Sequence, residues 1–110
     1  MNEKEIFEKI QKVISELLEC EKNSIKLNTH LVQELGMDSL DIIDVFYRIE
    51  DTFHIVIKDG EKEDLFLKYF FKNPTPKTML DFVKDNTKIN LNKKTQVLNF
   101  LQNPKSVYQR

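Results

Sequence analysis

Cysteine occurs once in this sequence, glycine twice, proline three times and tryptophan not at all. The single thiol, Cys20, excludes a disulfide within the chain and argues against a cysteine-based structural zinc site. So few breakers over 110 residues favour helices. Long apolar runs are missing too: no segment is long enough to span a membrane, and the opening MNEKEIFEKI lacks the apolar stretch of a signal peptide. With the lone cysteine, this sets the expectation of a cytoplasmic protein. Neither charge dominates, since 17 Lys and Arg face 18 Asp and Glu, a formal −1. That balance excludes a general nucleic-acid binder. No repeat of solenoid period is present.

Catalytic patterns are also absent. There are no paired carboxylates framed by apolar positions, no metal-ligand spacing and no glycine-rich phosphate loop. His30 and His54 are far apart in sequence, and neither belongs to a hydrolase motif. The reading is therefore no enzyme, no catalytic residue and no metal ligand.

What is present suits one small soluble domain: 40% of residues are apolar and 32% charged. The charges are segregated. From Asp38 to Phe53 the acids Asp38, Asp41, Asp44, Glu50 and Asp51 face Arg48 alone, while from Lys84 onward Lys84, Lys88, Lys93, Lys94, Lys105 and Arg110 face only Asp85. Such a split points to a partner surface on the acidic part.

Ile6, Ile10, Val13, Ile14 and Leu17 recur at helical steps and predict a first helix from about Asn2 to Glu19, with Asn2 as N-cap and Glu5 as its capping-box partner. Residues 20–37 read as a long loop whose Leu27, Leu31, Val32 and Leu35 dip into a core, with Cys20 partly buried and Gly36 freeing the backbone before the next helix. That second helix is the clearest. Asp38 fits the N-cap and Asp41 its capping-box acid. Ile42, Val45, Ile49 and Phe53, with Ile43 and Phe46 beside them, form its apolar face. HIVIKDG has the β-branched content of a strand but no evident partner. Glu61 to Lys72 predicts a third helix, and Thr75 with Pro76 caps a fourth that turns Met79, Leu80 and Val83 inward. Val97, Leu98 and Leu101 suggest a short, weakly held helix ended by Pro104. The expected fold is all-α, a small bundle of three to four helices over residues 1–85, including a long segment 58–74. Residues 86–110 form a partly helical or disordered extension.

Ser39 is the residue of most interest. Following the Asp38 cap, it sits at the first helical position, beside unpaired N–H groups and the positive end of the helix dipole. A phosphate esterified to its oxygen would lie where a helix favours an anion. Nothing nearby activates it as a nucleophile, so it looks like an attachment point.

The stretch ELGMDSLDIIDVFYRIEDTFHI resembles the signature of acyl carrier proteins, and THLVQELG before it and TPKTMLDFV after it fall in the family's order. The resemblance implies a bundle of the acyl-carrier type. It implies 4′-phosphopantetheine on Ser39, with Asp38 helping a phosphopantetheinyl transferase and its metal engage the chain. Leu40, Asp41, Asp44, Tyr47, Glu50 and Asp51 match partner-binding positions; Ile43, Val45, Ile49, Phe53 and Leu80 match the core or acyl pocket. Acyl intermediates would ride as thioesters and be presented to enzymes of fatty-acid, lipid or polyketide-type synthesis, which dock through basic patches. The expected partners are such enzymes and no nucleic acid; the chain would be a monomer without stable membrane insertion. Two alternatives stay open: an aminoacyl or peptidyl carrier, for instance of D-alanine, and a helical adaptor that lost the arm. The chain departs from the pattern in its long segment before Thr75, by roughly two helical turns, and in its basic tail. Both favour a dedicated carrier; some carriers for the very long acyl chains of lipid A are longer at the same place.

Overall fold

The computed structural model describes residues 1–87. Helix α1 spans Glu3–Leu18, α2 Ser39–Thr52 and α3 Asp59–Phe66, which runs on as a π-helical turn over Leu67–Phe71; α4 occupies residues 76–87. No strand is present among the described residues, and HIVIKDG supplies only a turn and the entry to α3. The helical bundle expected from the sequence is thus observed. The weak helix expected around Val97 to Leu101, and the rest of the basic extension, lie outside the described residues.

Local chemistry sets the helix starts. Asn2 accepts from the Glu5 N–H at 2.9 Å while Glu5 accepts from the Asn2 N–H at 3.0 Å, closing a capping box on α1. Thr75 and Thr78 exchange backbone-to-hydroxyl bonds, both 3.2 Å, at the start of α4. The apolar stripe of α1 is inward as its spacing predicts, with Ile6, Ile10, Val13 and Ile14 buried.

The connection between α1 and α2 is more ordered than a plain loop. A 3-10 turn forms at Lys22–Ser24, and Gln11, buried on α1, donates to the carbonyls of Ile25 (2.7 Å) and Lys22 (3.4 Å). The His30 Nδ1 accepts from the Val32 and Gln33 N–H groups, which gives this histidine a turn-holding task. Two backbone bonds, Leu31 N–H to Pro74 O and Lys77 N–H to Leu27 O, both 2.9 Å, tie the connection to the start of α4. Its anchors differ from the expected set. Leu31 is fully buried and Leu35 half-buried, but Leu27 and Val32 face solvent; Ile25 and Met37 are buried instead. Cys20 is exposed, not partly buried, because the chain leaves α1 through Glu19 in the left-handed conformation (φ 53°) before reaching it.

The core is aromatic where α2, the π-turn and α4 meet. The Phe70 ring lies 4.9 Å from Phe46 and 5.2 Å from Phe82, both edge-to-face, and Phe46 also meets Phe66 at 5.5 Å. Edge-to-face pairs satisfy the ring quadrupoles and add to the area they bury. The π-turn makes this possible by bringing Tyr69 and Phe70, consecutive residues, both into the core. Tyr69 packs on Phe82 and donates its hydroxyl proton to Asp85.

Two predictions follow from this packing. Phe70→Ala empties the centre of the ring cluster and costs about 3–5 kcal/mol, readable as a lower denaturant midpoint with little change in slope. For Tyr69, burial first, then the hydrogen bond to Asp85 and the charges of Asp85 and Asp81, push the phenol pKa up to about 12. A raised folded pKa stabilises the fold fully below the unfolded value near 10 and loses that contribution as pH rises through about 12. Stability should therefore fall between pH 10 and 12 in the parent, and Tyr69→Phe should flatten that fall in pH-resolved urea unfolding.

Candidate functional site

The site begins with Gly36, whose φ of 73° lies where a side chain is strained, and this turn delivers buried Met37 to the core. Met37 fixes the chain one residue before the cap. Asp38 then accepts from the Asp41 N–H at 2.9 Å, and Asp41 accepts in return from the Asp38 N–H at 3.2 Å. The capping box read from the sequence is present.

This arrangement leaves Ser39 free. It is exposed at the first position of α2, and capping is done by its neighbours on either side. Among the described residues its hydroxyl has no hydrogen-bond partner, and neither do the N–H groups of Ser39 and Leu40, which stand at the positive end of the helix. A phosphodiester on Ser39 Oγ fits this environment: the residue is exposed, and unshared donors lie beside it.

Burial of Ile42, Val45, Phe46 and Ile49 fixes the rotation of α2. Leu40 (73% exposed) and Tyr47 (51%) face outward with Asp44, Arg48 and Asp51. Asp44 accepts from Arg48 Nε at 2.9 Å, one turn on. Glu50 and Asp51 sit in the last turn, where no basic residue accompanies them. Acids there oppose the helix dipole, at a cost of about 0.3–1 kcal/mol each.

Val45, Ile49, Phe53 and Leu80 are buried, as core positions should be. Ile43 is different: it is 37% exposed and helps line an open groove of about 510 Å³ between α2 and α3, together with Phe46, Tyr47, Phe66, Leu67 and Phe71. Expected in the core or lining an acyl pocket, it stands in a groove wall because it lies on the flank of α2 toward α3. At three- and four-residue steps, Ser39, Ile43, Phe46 and Glu50 share that flank, so the groove wall at Ile43 lies one helical turn from the serine. Leu67 and Phe71 are both substantially exposed, and Leu67 escaped the sequence reading as a groove residue. Their aromatic-rich segment was visible, but only the π-turn decides which of its side chains point out.

Lys62 was also missed. Its ammonium lies 3.7 Å from Glu50 and 5.1 Å from the centre of the Tyr47 ring. Burial pushes the Glu50 carboxyl above the usual carboxylate range, and the Lys62 charge opposes that rise. Among the described residues, no group of three or more His, Cys, Asp or Glu is placed to hold a metal, and no helix is long and apolar enough to cross a membrane.

Comparison with known proteins agrees with this geometry. Residues 8–83 match the family model described as a phosphopantetheine attachment site. The chain is 42% identical over 65 residues to an acyl carrier protein of Guillardia theta, covering 59% of this chain and 80% of that one. It is 38% identical over 65 residues to an acyl carrier protein of Lactobacillus acidophilus, covering 59% and 81%, and 34% identical over 61 residues to one of Campylobacter hominis, covering 56% and 77%. A match over most of the chain, centred on a helical bundle with an exposed serine at a helix start, places it: this chain belongs to the acyl carrier protein family, non-catalytic carriers with a covalently attached 4′-phosphopantetheine.

Proposed function

We propose that Ser39 is the attachment residue and that the protein carries acyl intermediates, presenting them to enzymes of fatty-acid, lipid or polyketide-type synthesis. The observation that carries this reading is the exposed Ser39 hydroxyl, unshared at the start of α2 while Asp38 and Asp41 do the capping. When bound, the group supplies a thiol on a flexible arm, to which cargo is joined as a thioester.

The residues divide the work. Ser39 Oγ bears the arm. Asp38 engages the Asp41 N–H through one carboxylate oxygen, and the other oxygen is the one available to a transferase's divalent cation. Leu40 and Tyr47 give partners an apolar foothold, and Asp41, Asp44, Glu50 and Asp51 attract their lysines and arginines. Exposed charges of this kind steer encounter more than they hold a complex together, which suits a shuttle that must leave each enzyme in turn. The relatives' names support an acyl cargo. The two other readings, an aminoacyl carrier and an unmodified adaptor, draw on no separate feature of the site. The lone exposed cysteine supports a cytoplasmic location.

Incubated with coenzyme A, magnesium and a broad-range phosphopantetheinyl transferase, the chain should gain one phosphopantetheine by intact mass, and Ser39→Ala should gain none. A parent chain that stays unloaded while a control carrier loads would make it an adaptor. Asp44→Lys combined with Asp51→Lys should slow turnover by partner enzymes about tenfold at low ionic strength, with recovery of the difference at high salt. Its thermal midpoint should stay close to the parent's, since among the described residues Asp44 pairs with Arg48 alone, on the same exposed face. Asp41 is a poorer probe, being half of the capping box.

A further inference from the structure

The acidic face of α2 is already partly occupied by the protein itself. Asp44 is paired with Arg48, and Glu50, with only 11% side-chain exposure, has the Lys62 ammonium 3.7 Å from its carboxylate. The same ammonium covers the Tyr47 ring. Lys62 thus sits on two of the six side chains assigned to partner docking. It also stands between two open grooves: the one of about 510 Å³ that Ile43 lines, and a second of about 500 Å³ formed by Glu50, Asp51, His54 and residues 55–57. Lys62 and Tyr47 border both.

The contact is suited to exchange. At 3.7 Å the Lys62–Glu50 pair lies beyond hydrogen-bond distance. Lys62 is one-third exposed, so its ammonium can swing to water without unpacking the core. A guanidinium or ammonium brought by another protein could meet Glu50 at closer range than Lys62 does.

We propose that Lys62 is a built-in stand-in for a partner's cation, and so a specificity-determining residue of the docking face. It withholds Glu50, and one face of the half-exposed Tyr47 ring, from any partner unable to displace it, leaving Leu40 and Asp51 open to all. The occupant it holds off is a lysine or arginine of a partner enzyme, the complement of a half-buried carboxylate beside an aromatic ring. This rests on the reading that partners dock on α2.

A Ser39→Ala background, which accepts no arm, separates docking from attachment. Its affinity for a broad-range phosphopantetheinyl transferase is measured by calorimetry at low and moderate ionic strength, with Lys62→Ala, Lys62→Gln and Lys62→Arg added in turn. Lys62→Ala should bind about two- to fivefold tighter at low salt, the range an exposed ion pair spans. The gain should shrink as salt rises and vanish when Glu50→Gln is also present. Lys62→Arg should bind no more tightly than the background. Unchanged or weaker binding by Lys62→Ala, at a near-parental thermal midpoint, overturns the proposal, since a purely structural tether would act in that direction. Should Lys62→Ala lose its helical circular dichroism, Lys62→Gln keeps the stem over Tyr47 and carries the same expectation and the same refutation. Absence of measurable binding by every variant overturns it too. A parent chain that takes the arm by mass, yet shows no Lys62 effect, refutes the stand-in and leaves the carrier reading intact.

Discussion

The rotation of α2 about its own axis decides everything this protein presents to others. Ile42, Val45, Phe46 and Ile49 are all buried, and the aromatic rings around Phe46 leave that helix no second way to pack. Interiors this dense do not turn gradually. With the inner stripe locked, helical geometry assigns the rest. Leu40, Asp44, Tyr47, Arg48 and Asp51 face out, while Ser39, Ile43 and Glu50 line the flank toward α3. The π-turn that buries both Tyr69 and Phe70 is part of the same lock, because it supplies the ring that closes over Phe46. A change in the aromatic core is therefore also a change in the surface, although none of its central rings is displayed there.

The electrostatics of α2 sharpen this point. A helix selected for stability alone would place bases in its last turn, and α2 places Glu50 and Asp51 there. The fold compensates one of them with Lys62 from α3. That helix buries no residue of its own, and it follows α2 chiefly through Lys62 and the half-buried Leu65 and Phe66. Acids that cost the helix something, and an intramolecular cation that partly answers them, are what a surface under a second requirement looks like.

The legible parts of the fold were those governed by short sequence distance. The capping boxes Asn2–Glu5 and Asp38–Asp41 and the stripe of α1 involve residues three or four apart, so spacing alone reveals them. So does Ser39, whose exposure follows from being next to a cap. The misreadings concern long range. Leu27 and Val32 are as apolar as Leu31, but which of them enters the core depends on bonds to Pro74 and Lys77 at the far end of the chain. Ile25 is buried beside Gln11, whose amide takes the Ile25 carbonyl, a pairing that no local pattern announces. Local spacing also left Ile43 open between core and pocket, and α3 decides how far it is covered. Lys62 looks like one more charge in a polar helix until α2 is set against it.

These two scales meet at the proposed docking face. The cap that frees Ser39 is local, so the proposed attachment point survives most changes elsewhere in the bundle. The face beside it is built from long-range placement, and its charges are already half satisfied within the chain by Arg48 and Lys62. A partner arriving with its own cations therefore trades one ion pair for another and gains only the difference between them. Differences between exposed pairs are small, of order 1 kcal/mol or less, and weaken further with salt. The apolar contribution is tempered too, because Leu40 stands among charges and the apolar groove that Tyr47 borders is also edged by Asp59, Lys62 and Glu63. An acidic helix compensated in this way suits, on the proposed reading, weak and exchangeable contact with basic surfaces. The selectivity that remains falls to whichever residue decides how much of the face is open.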